Sequence, residues 1–139
     1  MTTRRLLAAL GLVWLAALAG VVWMMTLAGM RPHHALWLLV DTDIVLKACA
    51  ALSVASAAFA IVSARTGARP RARTGVAGAL AWGVLGALYG AANARSMLID
   101  INPPIPFAVY APNYAAALLV LLIGLTGAIP GLLSLRRPR

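Results

Sequence analysis

From Leu6 to Met30 the chain runs for twenty-five residues without a charged side chain. Three more long apolar runs follow, Ile44 to Ala64 (interrupted only by Lys47), Thr74 to Ala94 and Tyr114 to Leu135. At about 1.5 Å per residue, each can cross a hydrocarbon core about 30 Å thick. Inside lipid every backbone N–H and C=O must be paired within the protein, which leaves helices and closed barrels. Runs of this length without period-two alternation select helices. With 63% of residues hydrophobic and 11% charged, a chain this short could not hide its apolar surface from water in one soluble core. The sequence therefore predicts an all-α membrane protein, a four-helix transmembrane bundle forming one domain over 1–139, with spans of about 6–30, 44–64, 74–95 and 114–135.

The first span could also be read as a signal peptide, with Arg4-Arg5 as its basic start and Ala17-Leu18-Ala19 as an A-x-A cleavage site. It is too long for a signal-peptide core and stays apolar through Val21, Val22, Trp23 and Met24, so a retained helix is expected.

The net charge of +9 would suit a nucleic-acid binder if the bases shared a soluble face. They flank the spans instead. Arg4 and Arg5, the group Arg65, Arg69, Arg71 and Arg73, and the terminal Arg136, Arg137 and Arg139 all fall on one side of an alternating bundle. That is the positive-inside pattern. It predicts both termini in the cytoplasm, and the Arg, Ala and Gly bias fits a bacterial inner membrane. No nucleic-acid partner is expected. The single Cys49 allows no intramolecular disulfide and no CxxC pair.

Between the spans, Gly67 and Pro70 mark the arginine-rich gap as a loop. Asp41 or Asp43 should begin the second helix, because a carboxylate accepts from free N–H groups there and suits the positive end of the dipole. The interval from Asp100 to Asn113 holds Pro103, Pro104, Pro106 and Pro112 and is expected to be non-helical. Its apolar part, with Phe107 and Tyr110, and the equivalent Ala35 to Val40 predict a cover at the outer face. A duplication is also visible. Ala9 to Gly20 laid on Ala79 to Gly90 gives six identities in twelve at an offset of 70, which would make the fold two parallel helix-hairpin repeats.

Lipid provides little hydrophobic drive between helices, so association depends on close backbone approach and polar contacts. Gly86 and Gly90 in the third span, and Gly127 and Gly131 in the fourth, form small-residue faces, with Gly86 and Gly90 expected at the closest contact. Thr42, Cys49, Ser53, Ser56 and Ser63 fall on one stripe of the second helix and should face protein. Trp23 and Trp37 suit the outer interface, while Trp14 and Trp82 lie deeper.

Catalytic signatures are missing: there is no HExxH, GxxxxGK[ST] or GxSxG, and no Glu anywhere. Titratable chemistry converges on the outer end. Asp41, Asp43, Lys47, Arg95 and Asp100 form a candidate ion-pair or substrate cluster, in which Asp43 and Lys47 share a helix face at i, i+4. Intramembrane ionisable groups mark functional sites by default. His33, His34 and Met30 offer imidazole and thioether ligands to a soft metal, and no cofactor is specified. Packing faces without a catalytic signature point first to a non-enzymatic subunit or accessory protein of a larger membrane complex. Its partners would be the lipid bilayer and other membrane subunits, or a second copy of itself. The alternatives are a small transporter or channel using the outer cluster, and a metal-handling or redox protein built on the histidines.

Overall fold

The computed structural model describes residues 3–99 and 105–136 and is helical throughout, with no strand among them. The elements are α1 (Thr3–Leu27), a 3-10 turn at Pro32–His34 leading into the short α2 (Ala35–Asp41), α3 (Ile44–Arg65), α4 (Arg69–Ser96) and α5 (Phe107–Arg136). Four of these, α1, α3, α4 and α5, are long and apolar enough to cross a membrane. The four-helix bundle expected from the sequence is what forms.

Two boundaries differ from expectation. The arginine-rich gap is mostly helix: only Thr66 to Ala68 turn, with Gly67 at φ 80°, and α4 begins at Arg69 with Pro70 in its first turn. A proline there loses nothing, since the first N–H groups of a helix have no internal acceptor. At the other end, α5 starts at Phe107, seven residues before Tyr114, and carries Pro112 inside its second turn. Proline that close to the start removes a single backbone bond, and the rings of Phe107, Tyr110 and Tyr114 cluster along that same face, with Phe107 edge-on to Tyr110 at 4.9 Å between centroids.

The helices alternate in direction, as their contacts require. Gly20 meets Leu118 and Trp14 Nε1 donates to Thr126 Oγ1 at 2.9 Å, so α1 and α5 are antiparallel. Ser53 and Ala79, Gly75 and Ala60, and Gly86 and Cys49 set α3 against α4, again antiparallel. Gly83 on Gly124 and Gly90 on Ala117 do the same for α4 and α5. α5 occupies the centre, touching α1, α3 and α4, and α3, α4 and α5 form the tight part of the bundle. α1 rests on α5 alone among the long helices, and Leu12, Leu15 and Trp23 on it are exposed.

This packing follows the sequence duplication only in part. Shifted by 70, the α1–α5 contact corresponds to α4–α3, and both pairs exist. The α4–α5 contact corresponds to α1–α3, and that pair barely meets. Glycine explains the difference: Gly83, Gly86 and Gly90 let α4 close onto α5, whereas Gly11 of α1 has no neighbour within 4 Å of where a Cβ would stand.

The glycines singled out in the sequence all lie at helix contacts. A methyl on Gly86 would stand 2.6 Å from Val120 Cγ1, on Gly90 2.7 Å from Ala117 Cβ, on Gly127 2.6 Å from Ala57 Cβ and on Gly131 2.6 Å from Val76 Cγ2. The tightest backbone contacts lie elsewhere on α4, however. A methyl on Gly75 would be 2.7 Å from the Ala60 nitrogen, and one on Gly83 2.9 Å from the Gly124 Cα. The polar stripe of α3 faces protein as expected, with Cys49, Ser53 and Ser63 buried. Ser53 Oγ donates to the Ala79 carbonyl at 3.3 Å, which satisfies a hydroxyl that could find no water there.

Candidate functional site

The end of the bundle away from the arginine-rich turn, the one expected from the sequence to be outer, carries a cleft because the helices there have unequal heights. Cys49 lies opposite Gly86 and Leu46 opposite Gly90, so α3, which begins at Ile44, has no residue to set against Asn93, Ala94 and Met97 of α4. The register of α5 on α4 brings Pro112, Asn113 and Ala116 beside them. α2 covers only part of the vacated height. Its inner residues Leu38 and Leu39 pack inward, while Leu36, Trp37 and Val40 are exposed. This is the Ala35 to Val40 half of the expected cover, with an apolar outer side that suits the membrane interface; of the other half, Phe107 to Asn113 belongs to α5 instead and 100–104 lie outside the described residues. What remains is a half-open cleft of about 320 Å³.

Its polar lining comes from Asp41, Thr42, Asp43, Asn93 and Asn113, against Leu38, Leu46, Met97 and Pro112. Asp43 is the N-cap of α3. One carboxylate oxygen accepts from the Val45 N–H at 2.9 Å, and the other accepts from the Tyr89 hydroxyl at 2.9 Å. The Val45 N–H, the Tyr89 hydroxyl and, least, the charge of Lys47 hold the Asp43 carboxyl below its usual range, against a small opposing effect of desolvation. Asp43 is thus a fixed negative charge at the cleft floor. Asp41 is exposed at the end of α2, and no hydrogen bond ties its carboxylate to the described residues.

The cluster expected from the sequence is only half assembled. Asp41 and Asp43 share the cleft, but Lys47 and Arg95 are exposed and do not line it. Among the described residues no Lys or Arg nitrogen lies within 4.0 Å of a carboxylate oxygen, so the expected Asp43–Lys47 ion pair is replaced by the Asp43–Tyr89 hydrogen bond. The reason is reach: the hydroxyl of a rigid ring is presented to Asp43 from the facing helix, while the Lys47 side chain gains more from extending outward into water. Asp100 lies outside the described residues. His33 and His34 are adjacent, with ring centroids 4.2 Å apart, but Met30 turns away into the apolar cluster formed by Ala17, Val21, Met25, Ala115 and Leu122. No group of three His, Cys or acidic side chains is placed to hold a metal among the described residues.

Tyr89, Asn93 and Asn113 are the site residues that sequence reasoning missed. The signal for Tyr89 was its hydroxyl inside an apolar span, which demands a partner. The two asparagines gave none, because they meet only through the register of α4 on α5. No family profile, curated protein or solved structure matches the chain. The cleft is therefore read from its own chemistry: it can accept hydrogen bonds and positive charge from outside.

Proposed function

We propose that the protein is a non-enzymatic accessory subunit of a larger membrane complex, joined to a neighbouring membrane protein by a basic side chain of that partner seated in the outer cleft. The supporting observation is an acidic cleft that ends on a closed floor. Below Asp43 the bundle axis is filled by Leu46, Gly86 against Val120 and Cys49, and then Ser53 and Ala79, with Val120, Ser53 and Ala79 fully buried. Such packing offers no polar path through the chain and disfavours the transporter reading. Above it, the cleft volume falls in the range typical of binding sites, roughly 300–1,000 Å³. Neither carboxylate has a Lys or Arg nitrogen of its own chain within 4.0 Å among the described residues, and Lys47 acts on Asp43 only as a weak charge at longer range. A Lys or Arg from a partner supplies the missing charge.

Mass spectrometry of the intact assembly, purified in a mild detergent, should find the protein in a stoichiometric complex with a second membrane protein. Asp41→Asn/Asp43→Asn should release it while the four-helix fold persists. A complex indifferent to both substitutions, a complex made only of copies of this chain, or potassium flux into proteoliposomes above that of empty vesicles would each overturn the reading.

The same reading has the protein in a bacterial inner membrane with its termini and the turn at 66–68 in the cytoplasm, supported by the arginine distribution. In a Cys49→Ala background, a membrane-impermeant thiol reagent added outside the cell should modify Ile99→Cys and leave Ala68→Cys untouched. The reverse pattern would invert the topology.

A further inference from the structure

In the sequence, nine of the twelve basic residues and no acidic one flank the helix ends opposite the cleft. Among the described residues the cleft end carries Arg31, Lys47 and Arg95 against Asp41 and Asp43, and Asp100 follows close in the sequence. Such segregation is enough to orient insertion, but orientation alone leaves open what neutralises the arginines afterwards. Arg65, Arg69, Arg71 and Arg73 are all exposed, and none of their side chains makes a hydrogen bond or ion pair within the described residues.

Their position on α4 is specific. This helix has 28 residues, hence a length of about 42 Å, which exceeds a hydrocarbon core of about 30 Å and carries its ends into the headgroup layer. Arg69 and Arg73 are one turn apart on the same flank, the flank that continues through Val76, the residue in contact with Gly131 of α5. Arg71 falls on the other flank, towards Arg65 at the end of α3. Like charges at i, i+4 repel when nothing lies between them. Around the same turn, Pro70 has no N–H, and the Arg71 N–H has no backbone acceptor among the described residues, as is usual in the first turn of a helix. Two guanidinium forks and an open helix start at headgroup depth together match a phosphate oxyanion.

We propose that Arg69 and Arg73, with Arg65 and Arg71 behind them, form a binding surface for the phosphate of an anionic phospholipid at the arginine-rich end of the bundle. The lipid bridges the arginine pair, while its acyl chains lie along the apolar flanks of α4 and α5 that begin immediately below. This surface is independent of the outer cleft and stands whether or not a protein partner binds there.

The test uses the full chain in mixed micelles, where the sidedness of insertion plays no part. Phosphatidylglycerol and phosphatidylcholine are offered in equal amounts, lipid retained on the intact protein is counted by native mass spectrometry, and melting is followed in parallel. The wild type should prefer phosphatidylglycerol and melt higher in its presence. Arg69→Gln/Arg73→Gln should lower that preference by about fivefold for each arginine removed. Arg69→Lys/Arg73→Lys, which keeps the charge but not the forks, should fall between the wild type and the Gln pair, and Arg95→Gln at the other end should change nothing. Since both arginines are exposed and make no side-chain bond among the described residues, the double variant should still show a cooperative melt. Equal retention of the two lipids by the wild type, or a preference that survives the Gln pair, would overturn the proposal. So would an equal rise in melting temperature from inorganic phosphate in phosphatidylcholine micelles, which would assign the arginines to a free anion.

Discussion

Gly83→Leu should lower the stability of the bundle by about 3 kcal/mol or more, at the upper end of what overpacking costs, and separate α4 from α5. The Gly83 position faces the Gly124 backbone: an added Cβ would stand 2.9 Å from the Gly124 Cα, and the Gly124 Cβ position in turn lies 2.7 Å from the Ala79 carbonyl oxygen. Neither neighbour is a side chain that can swing aside, so the two helices themselves must move apart. That separation also loosens Gly86 on Val120 and Gly90 on Ala117, which share the seam. Gly11→Leu is the matched control. The same substitution on α1 meets nothing within 4 Å and should change stability by less than about 0.5 kcal/mol. Thermal melting in detergent compares the two. A Gly83→Leu protein that melts with the wild type would refute the backbone contact as the basis of the fold.

Gly83 also illustrates where sequence reasoning stops. The spans were legible because a charge inside lipid is so costly that about 20 residues without one mark a helix able to cross it. Small-residue faces were legible as spacing, and Gly86, Gly90, Gly127 and Gly131 do lie at contacts. Which glycine bears the closest approach depends on how far one helix slides along the next, and no residue on either helix alone records that. Helix ends were hidden for a related reason. Pro70 and Pro112 read as breakers, yet Pro70 meets an N–H position that is unpaired in any helix, and Pro112, in the second turn of α5, removes only one backbone bond. The cleft was half legible. Asp41 and Asp43 were found through their place before an apolar run, whereas Asn93 and Asn113 join them only because α3 starts lower than α4 ends.

Charge and packing thus divide the molecule. Among the described residues the arginine-rich end has exposed cations and no acid, the middle is closed by glycine and alanine, and the opposite end holds an anionic cleft. Cavity and unpartnered carboxylate coincide only at the outer end. For this reason the strongest single test of the cleft is one that alters its fixed charge without touching the seam below.

Asp43→Asn and Tyr89→Phe should each lower the melting temperature, and their losses should not add. Asn keeps the N-cap acceptor for Val45 but removes the charge that draws in the Tyr89 hydroxyl; Phe keeps the ring and removes the donor. Once either partner has gone, removing the other has little left to break, so the double variant should melt close to the worse single one. The pH dependence follows from the depressed Asp43 value. Its carboxyl titrates lower in the folded protein than the ordinary 3.8, so the unfolded chain takes up its proton first as pH falls. Stability from this residue is therefore fully present above about pH 4–5 and is lost as pH drops through the lowered folded value. Between pH 7 and pH 3 the wild type should lose more of its melting temperature than Asp43→Asn does, and the two curves should converge at the acid end. Parallel curves across that range, or strictly additive losses in the double variant, would mean that the Asp43–Tyr89 bond does not hold the cleft floor. In that case Asp43 would be free to move with whatever cation enters, as a transport site requires and a static docking site does not.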